Sequence, residues 1–335
     1  MSKIKTIKIN NFKFFTNNIP LELEGKHLLL FGENGSGKSS IYWALYTLFQ
    51  AAIKDTITDF QKYFKHPDNS EESLINIYAE PNITNEVEDY KSFIEVETTD
   101  NKTYRVSQLD TAINGDTEAI EVTMASDFLN YKVLYKFQDF WNGEQIDLAD
   151  IFVGYILPYI KFTSSEIRDR QLSNAYEMWQ EITKGPGTTT NSKGKIIQVY
   201  KHSEEYRSFQ RFSGHFENEM RSLIDFINAN APEILKELGY NIDFHLEYEP
   251  HTHHKKDVKY EYAPFKIVLK ITSYLGKTIS IHRPQSFLNE AKFTAIAIAI
   301  RLAVLKKRIN TETSVLKFIV FDDIEKFSLK GYILG

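Results

Sequence analysis

Residues Gly32-Glu33-Asn34-Gly35-Ser36-Gly37-Lys38-Ser39 carry the spacing G-x-x-x-x-G-K-S, and the residue types explain what that spacing can do. Glycines let the backbone curl so that successive N–H groups point inward at a polyphosphate. Lys38 can reach the β- and γ-phosphates, and the Ser39 hydroxyl can ligate Mg2+. A second group of acids lies near the other end, where Phe318-Ile319-Val320-Phe321 runs into Asp322-Asp323. Four apolar residues followed by two acids suit a buried parallel strand that delivers carboxylates at its C-terminal end. Asp322 would hold Mg2+, directly or through water, and Asp323 could orient the attacking water. The combination predicts a nucleoside triphosphate site.

Such groups need elements to position them. The apolar run Leu28–Phe31 predicts the strand that feeds the loop, and Ile41–Phe49 the helix that leaves it. Ile4, Ile7, Ile9 and then Leu21, Leu23 predict two early strands about the turn 16–20. Residues 93–97 and 103–106 read as a hairpin, and Ile120–Thr123 as a further strand. Helical spacing resumes at Ile167–Ile182, followed by a glycine-rich tip at 185–194 and a heptad-like stripe from Tyr206 to Ile227 that Pro232 should end. This predicts a short antiparallel helical hairpin, read either as a coiled-coil stub or as two ordinary packed helices. Strands return at 242–248 and 265–271. The excursion between them holds His251, His253 and His254, a metal site or a solvated loop. Finally Ser286–Lys292 leads into a long apolar helix, with Asn289 as its N-cap.

Composition bounds the reading. The 335 residues are 42% apolar and 25% charged, which suits two folded lobes rather than disorder. With 24 Phe and 19 Tyr the core is well supplied with aromatic rings. A net charge of −5 leaves nucleic-acid binding to local patches: Lys3, Lys5 and Lys8, Lys193 and Lys195, or Lys306-Lys307-Arg308. The absence of cysteine excludes disulfides, thiolate zinc sites and cysteine nucleophiles, and is compatible with the cytoplasm. The longest apolar run, Ala295–Leu305, is short and contains Arg301, so no membrane span is expected.

Together Ile9-Asn10-Asn11-Phe12-Lys13, the loop Gly32–Ser40, the segment Phe287–Lys292 and Asp322-Asp323 resemble the head of an SMC/RecN/SbcC-type ATPase. This is an AAA-family branch of the ABC superfamily met in chromosome maintenance, double-strand-break repair and phage defence. The resemblance implies an α/β P-loop fold with a mixed sheet. It implies an N-terminal lobe over 1–160, a helical insertion over 161–235 and a C-terminal lobe over 236–335. Gly32, Asn34, Gly35, Ser36, Gly37, Lys38, Ser39 and Ser40 would bind ATP, with Lys13 helping to hold phosphates. Ser39 and Asp322 would take Mg2+, and Asp323 stands where the family has its catalytic glutamate. Leu288, Asn289, Glu290, Ala291 and Lys292 occupy the place of the signature that touches the nucleotide of a second head. Gln138 is the candidate for the Q-loop.

The implied partners are a second copy joined by ATP, DNA, and a nuclease or effector protein. The departures are Asn289 for serine without a glycine pair, aspartate for glutamate at 323, and Lys330 where the family has an aspartate. The chain also stops at Gly335, soon after Asp323, so truncation or completion by another polypeptide is expected. A nucleotide sensor with little hydrolysis is the second reading. A P-loop kinase is the third, although no acceptor lid is apparent.

Overall fold

The computed structural model describes residues 2–84, 87–137, 145–163, 166–167, 170–199, 202–256, 259–281, 283–311, 314 and 316–322. The chain divides into two compact units, residues 1–131 with 308–324, and residues 132–307. Strands and helices are mixed throughout, as the α/β reading expects.

In the first unit, strands Ile4–Asn10, Ile19–Glu22, Phe93–Thr98 and Thr103–Ser107 form an antiparallel sheet in the order Ile19–Glu22, Ile4–Asn10, Phe93–Thr98, Thr103–Ser107. The two early strands and the hairpin are those expected. Ile7, Ile9, Ile94 and Val96 alternate inward and are buried with Leu48 and Phe49 of helix Lys38–Ala52. Each such side chain contributes about 1.5–3 kcal/mol through burial. The opposite face carries cross-strand ion pairs, Lys5–Glu97 at 2.7 Å and Lys8–Glu95 at 2.8 Å.

Two short strands, Asp127–Asn130 and Ile319–Asp322, pair in parallel. Strand Ile319–Asp322 is half-buried rather than fully buried. Residues 117–125, where a strand was expected over Ile120–Thr123, form a helix. Asp116 explains the difference: its side chain accepts the Ala119 N–H at 2.8 Å, an N-cap that outweighs the β-branched residues that follow. At the other end of this helix the buried guanidinium of Arg308 donates to the carbonyls of Met124 at 2.6 Å, Thr123 at 3.3 Å and Ser126 at 2.9 Å.

The second unit is built on helix Glu204–Glu237, 34 residues and about 51 Å long. Ser203 caps it by accepting the Tyr206 N–H at 3.2 Å. Pro232 lies inside the helix instead of ending it. A proline there forfeits one backbone hydrogen bond, but Ala231 and Leu235 extend the buried stripe past it and offset that loss. The stripe packs on an antiparallel sheet ordered Ile242–Glu249, Lys266–Tyr274, Lys277–Ile281. Asn228 staples the two layers, donating to the Leu246 carbonyl at 2.9 Å and accepting its N–H at 2.7 Å. The preceding helix, Ala175–Lys184, has only 10 residues, so the two arms are unequal. The glycine-rich tip is a two-stranded ribbon of Thr188–Thr190 and Ile196–Gln198.

The histidine excursion is paired structure rather than a solvated loop. Residues 252–256 and 259–263 pair as a hairpin, and among the described residues no group of three or more His, Cys, Asp or Glu could hold a metal. His251 is 4% exposed, its Nε2 lies 2.8 Å from Ser213 Oγ, and its Nδ1 is buried without a hydrogen-bond partner. Burial, helped by nearby His253, pushes its pKa down from 6.5 to about 4. The unfolded chain therefore binds the proton first, and stability falls as the pH drops from 6.5 toward 4. Burial pushes Glu217 the other way, raising its pKa, so its contribution has the opposite sign. The expected result is that melting temperature falls less steeply between pH 6.5 and 4 in His251→Phe than in the parent. Parallel slopes would show that His251 does not titrate in that window.

Candidate nucleotide site

The loop Gly32–Gly37 takes two left-handed turns, at Gly35 (φ 85°) and Gly37 (φ 88°), and opens directly into helix Lys38–Ala52. A side chain at Gly37 would meet the Phe14 ring at 2.5 Å, so both the backbone angle and the space demand glycine there. The first turn of the helix carries no acid and no side-chain cap, which leaves its N–H groups and positive dipole end facing the loop. Lys38 Nζ donates to the carbonyls of Gly32 at 2.6 Å and Glu33 at 2.9 Å, within the span that a polyphosphate would enter. The loop residues 32–36 are exposed.

Ser39 and Asp322, 283 positions apart, meet: the Ser39 hydroxyl donates to Asp322 Oδ1 at 2.8 Å. Helix Lys38–Ala52 packs on strand Ile319–Asp322, so the start of the one faces the C-terminal end of the other. A hydroxyl and a carboxylate are hard oxygen donors, the chemistry that Mg2+ takes when phosphates and water supply its remaining ligands. The turn after the first strand abuts the loop. Ser40 Oγ accepts the Phe14 N–H at 3.4 Å, and the Lys13 backbone is fixed by Leu74 at 2.7 Å and Asn76 at 2.6 Å. Lys13 Nζ lies 5.6 Å above the Trp43 ring.

The AAA domain family model matches residues 6–320, nearly the whole described span. The chain belongs to the AAA domain family. Two solved structures align along the chain. The Smc head domain with an extended coiled coil from Pyrococcus furiosus, bound to the C-terminal domain of ScpA, is 14% identical with a TM-score of 0.42; the alignment covers 97% of this chain and 91% of that one. The SmcHead bound to the C-winged helix domain of ScpA is 13% identical with a TM-score of 0.37, covering 96% and 90%. At that similarity the assignment stands on the AAA domain match. No protein of curated function matched the sequence.

Other expected parts of this AAA domain fall as follows. Asn289 caps helix Glu290–Thr311, its Oδ1 accepting the Lys292 N–H at 3.2 Å. Leu288 is buried, whereas Asn289 and Glu290 are exposed at the helix start. Lys292 turns back to Tyr274, donating to its hydroxyl at 2.6 Å. Asp323 and Gln138 lie outside the described residues, as does Lys330. The strand expected at Leu28–Phe31 is absent: residues 26–33 are irregular, with Leu28, Leu29 and Phe31 exposed to 42%, 50% and 75%. A strand needs a ladder partner, and among the described residues the two parallel strands pair only with each other.

The basic groups are largely engaged. Lys5 and Lys8 pair with glutamates, Lys306 donates to Asn230 at 2.8 Å, and Arg308 is buried. Lys193 and Lys195 are exposed on the ribbon. Among the described residues no helix is long and apolar enough to cross a membrane. Sequence reasoning passed over Asn130, which stands opposite Asp322 in the parallel pair. The signal was present: Phe128-Leu129-Asn130 repeats the pattern of an apolar run ending in a polar residue.

Proposed function

We propose that this AAA domain is an ATPase head that binds Mg-ATP at Gly32–Ser40 and hydrolyses it. The observation that supports the reading best is the contact between Ser39 and Asp322, which joins the loop to an acid at a strand end. The loop amides and Lys38 would hold the β- and γ-phosphates, with Lys13 near their edge. Ser39 and Asp322 would hold Mg2+, which offsets phosphate charge when bound. Asp323 would accept the proton of the attacking water, with Gln138 as the candidate for positioning it.

In this reading two heads associate around ATP, each presenting Leu288–Lys292 to the nucleotide of the other. The helix capped by Asn289 would direct its N-terminus at that γ-phosphate. The cycle would act on DNA, in repair or anti-phage defence, or on an effector protein. Light scattering with Mg-ATP and with Mg-ADP tests it. ATP should promote a dimer and ADP should not. Asn289→Arg should abolish the dimer and turnover while nucleotide affinity stays within about twofold of the parent, a change below 0.5 kcal/mol. A variant that still dimerises would remove Leu288–Lys292 from the interface.

A second reading is a nucleotide-sensing regulatory subunit that binds ATP with little hydrolysis and controls a partner enzyme. The internal engagement of Lys5, Lys8, Lys306 and Arg308 favours a protein partner over DNA. Turnover compared with ATP affinity separates the two readings.

A further inference from the structure

Asparagine followed by glycine is a reactive pair, because no Cβ shields the glycine nitrogen from the asparagine side chain. The sequence holds it at 34–35, 114–115 and 142–143, the last outside the described residues. The first two lie in the first unit, in opposite surroundings. At the nucleotide loop the Ser36 N–H donates to the Glu33 carbonyl at 3.2 Å, closing a turn with Asn34 and Gly35 at its centre. Such a turn consumes only the N–H of its fourth residue. Among the described residues nothing accepts the Gly35 N–H and nothing holds the Asn34 side chain, and both residues are exposed. Beyond its chain neighbours, no heavy atom lies within 4 Å of a Cβ built on Gly35, so nothing blocks rotation of the backbone there.

Asn114 begins the same dipeptide and has none of that freedom. Its Nδ2 donates to the carbonyls of Ala51 and Lys54, each at 2.9 Å, and the Gly115 N–H donates to the Ala52 carbonyl at 3.1 Å. These bonds tie both reacting groups to the end of helix Lys38–Ala52. They must open before the Gly115 nitrogen can reach the Asn114 side-chain carbon, and each bond lost lowers the open population severalfold.

We propose that Asn34 is a modification site, at which the loop deamidates itself. The Gly35 nitrogen gives its proton to solvent base and attacks Asn34 Cγ. A C–N bond forms, the side-chain nitrogen leaves as ammonia, and a succinimide ring remains. Water then opens the ring at Cγ to give aspartate, or at the main-chain carbonyl carbon to give isoaspartate with an extra methylene in the backbone. One water is consumed and one ammonia released, with no oxidant or reductant. The step needs no nucleotide. Its consequence rests on the Mg-ATP reading of the loop. Either product sets a carboxylate where the phosphates would bind, and bound Mg-ATP holds the turn and suppresses the reaction.

Peptide mass mapping tests it on the full chain, aged at mildly alkaline pH with and without Mg-ATP, under conditions where circular dichroism shows the fold intact. The mass gain of amide-to-acid conversion should accumulate at residues 34–35 at least about tenfold faster than at 114–115, with both isomers separated by chromatography. Mg-ATP should slow the change at Asn34 and leave that at Asn114 as it was. The aged parent should lose Mg-ATP affinity in step with conversion. Asn34→Gln, which would have to close a larger and slower ring, should keep the affinity of its own fresh sample. Asn34→Asp, one of the two products, should bind Mg-ATP about tenfold more weakly than the fresh parent. No conversion at Asn34, or equal rates at Asn34 and Asn114, overturns the proposal. Fast conversion that Mg-ATP does not slow supports the chemical step and counts against the Mg-ATP reading, so the two fail separately.

Discussion

Replacing Lys38 with alanine lowers Mg-ATP affinity at least tenfold, about 1.4 kcal/mol, while leaving the melting temperature nearly unchanged. The two halves of this expectation come from different surroundings. Lys38 Nζ rests on the carbonyls of Gly32 and Glu33, both residues exposed. Water replaces that donor at little cost, so the fold does not depend on it. With nucleotide present, the lysine is the one cation of the loop sequence, and removing it leaves phosphate charge without its charged hydrogen-bond donor. Calorimetry on parent and variant, with melting followed by circular dichroism, separates the two effects. Unchanged Mg-ATP binding would remove Gly32–Ser39 as the nucleotide site.

The largest expected loss of stability lies far from the loop in sequence, at Arg308. Its guanidinium is buried and serves three carbonyls at and just past the end of helix Thr117–Ala125. Arg308→Met keeps much of the aliphatic stem but strands the Met124 and Ser126 carbonyls, each worth about 1–3 kcal/mol when left unsatisfied in the interior, while the Thr123 carbonyl keeps the Ser126 N–H. A loss of about 3–5 kcal/mol is expected, lowering the melting temperature by roughly 10 °C for a unit of this size. Arg308→Lys should recover only part of it, because an ammonium cannot span the carbonyls as the planar fork does. Thermal unfolding of both variants checks this. Melting within 2 °C of the parent in Arg308→Met, well inside the roughly 10 °C expected, would show that water reaches those carbonyls.

Arg308 also illustrates where sequence reading stops. Beside Lys306 and Lys307 it reads as part of a basic surface group, and nothing local distinguishes a solvated arginine from one that caps a helix some 180 positions earlier. Lys5 and Lys8 read the same way until the strand register places Glu95 across from Lys8, and Glu97 across from Thr6 within reach of Lys5.

What the sequence determined by itself is local. Glycines at 35 and 37 supply the left-handed turns of the loop, Asn289 caps the helix that follows it, and the alternation of Ile7 and Ile9 or Ile94 and Val96 sets the inward face of a sheet. Each depends on neighbours within a few residues, where backbone geometry and side-chain type suffice. Even here a cap can be overlooked: Asp116 turns the β-branched run at 120–123 into helix. The tertiary structure decided the rest. It kept helix Glu204–Glu237 going through Pro232 because the buried stripe continues, and it left Leu28–Phe31 outside any ladder. It also brought Ser39 to Asp322 and Asn130 to Tyr42, across 283 and 88 positions. Pairing over such separations depends on strand register and on which helix face meets the sheet. Those are properties of the packed chain and of no single stretch of it.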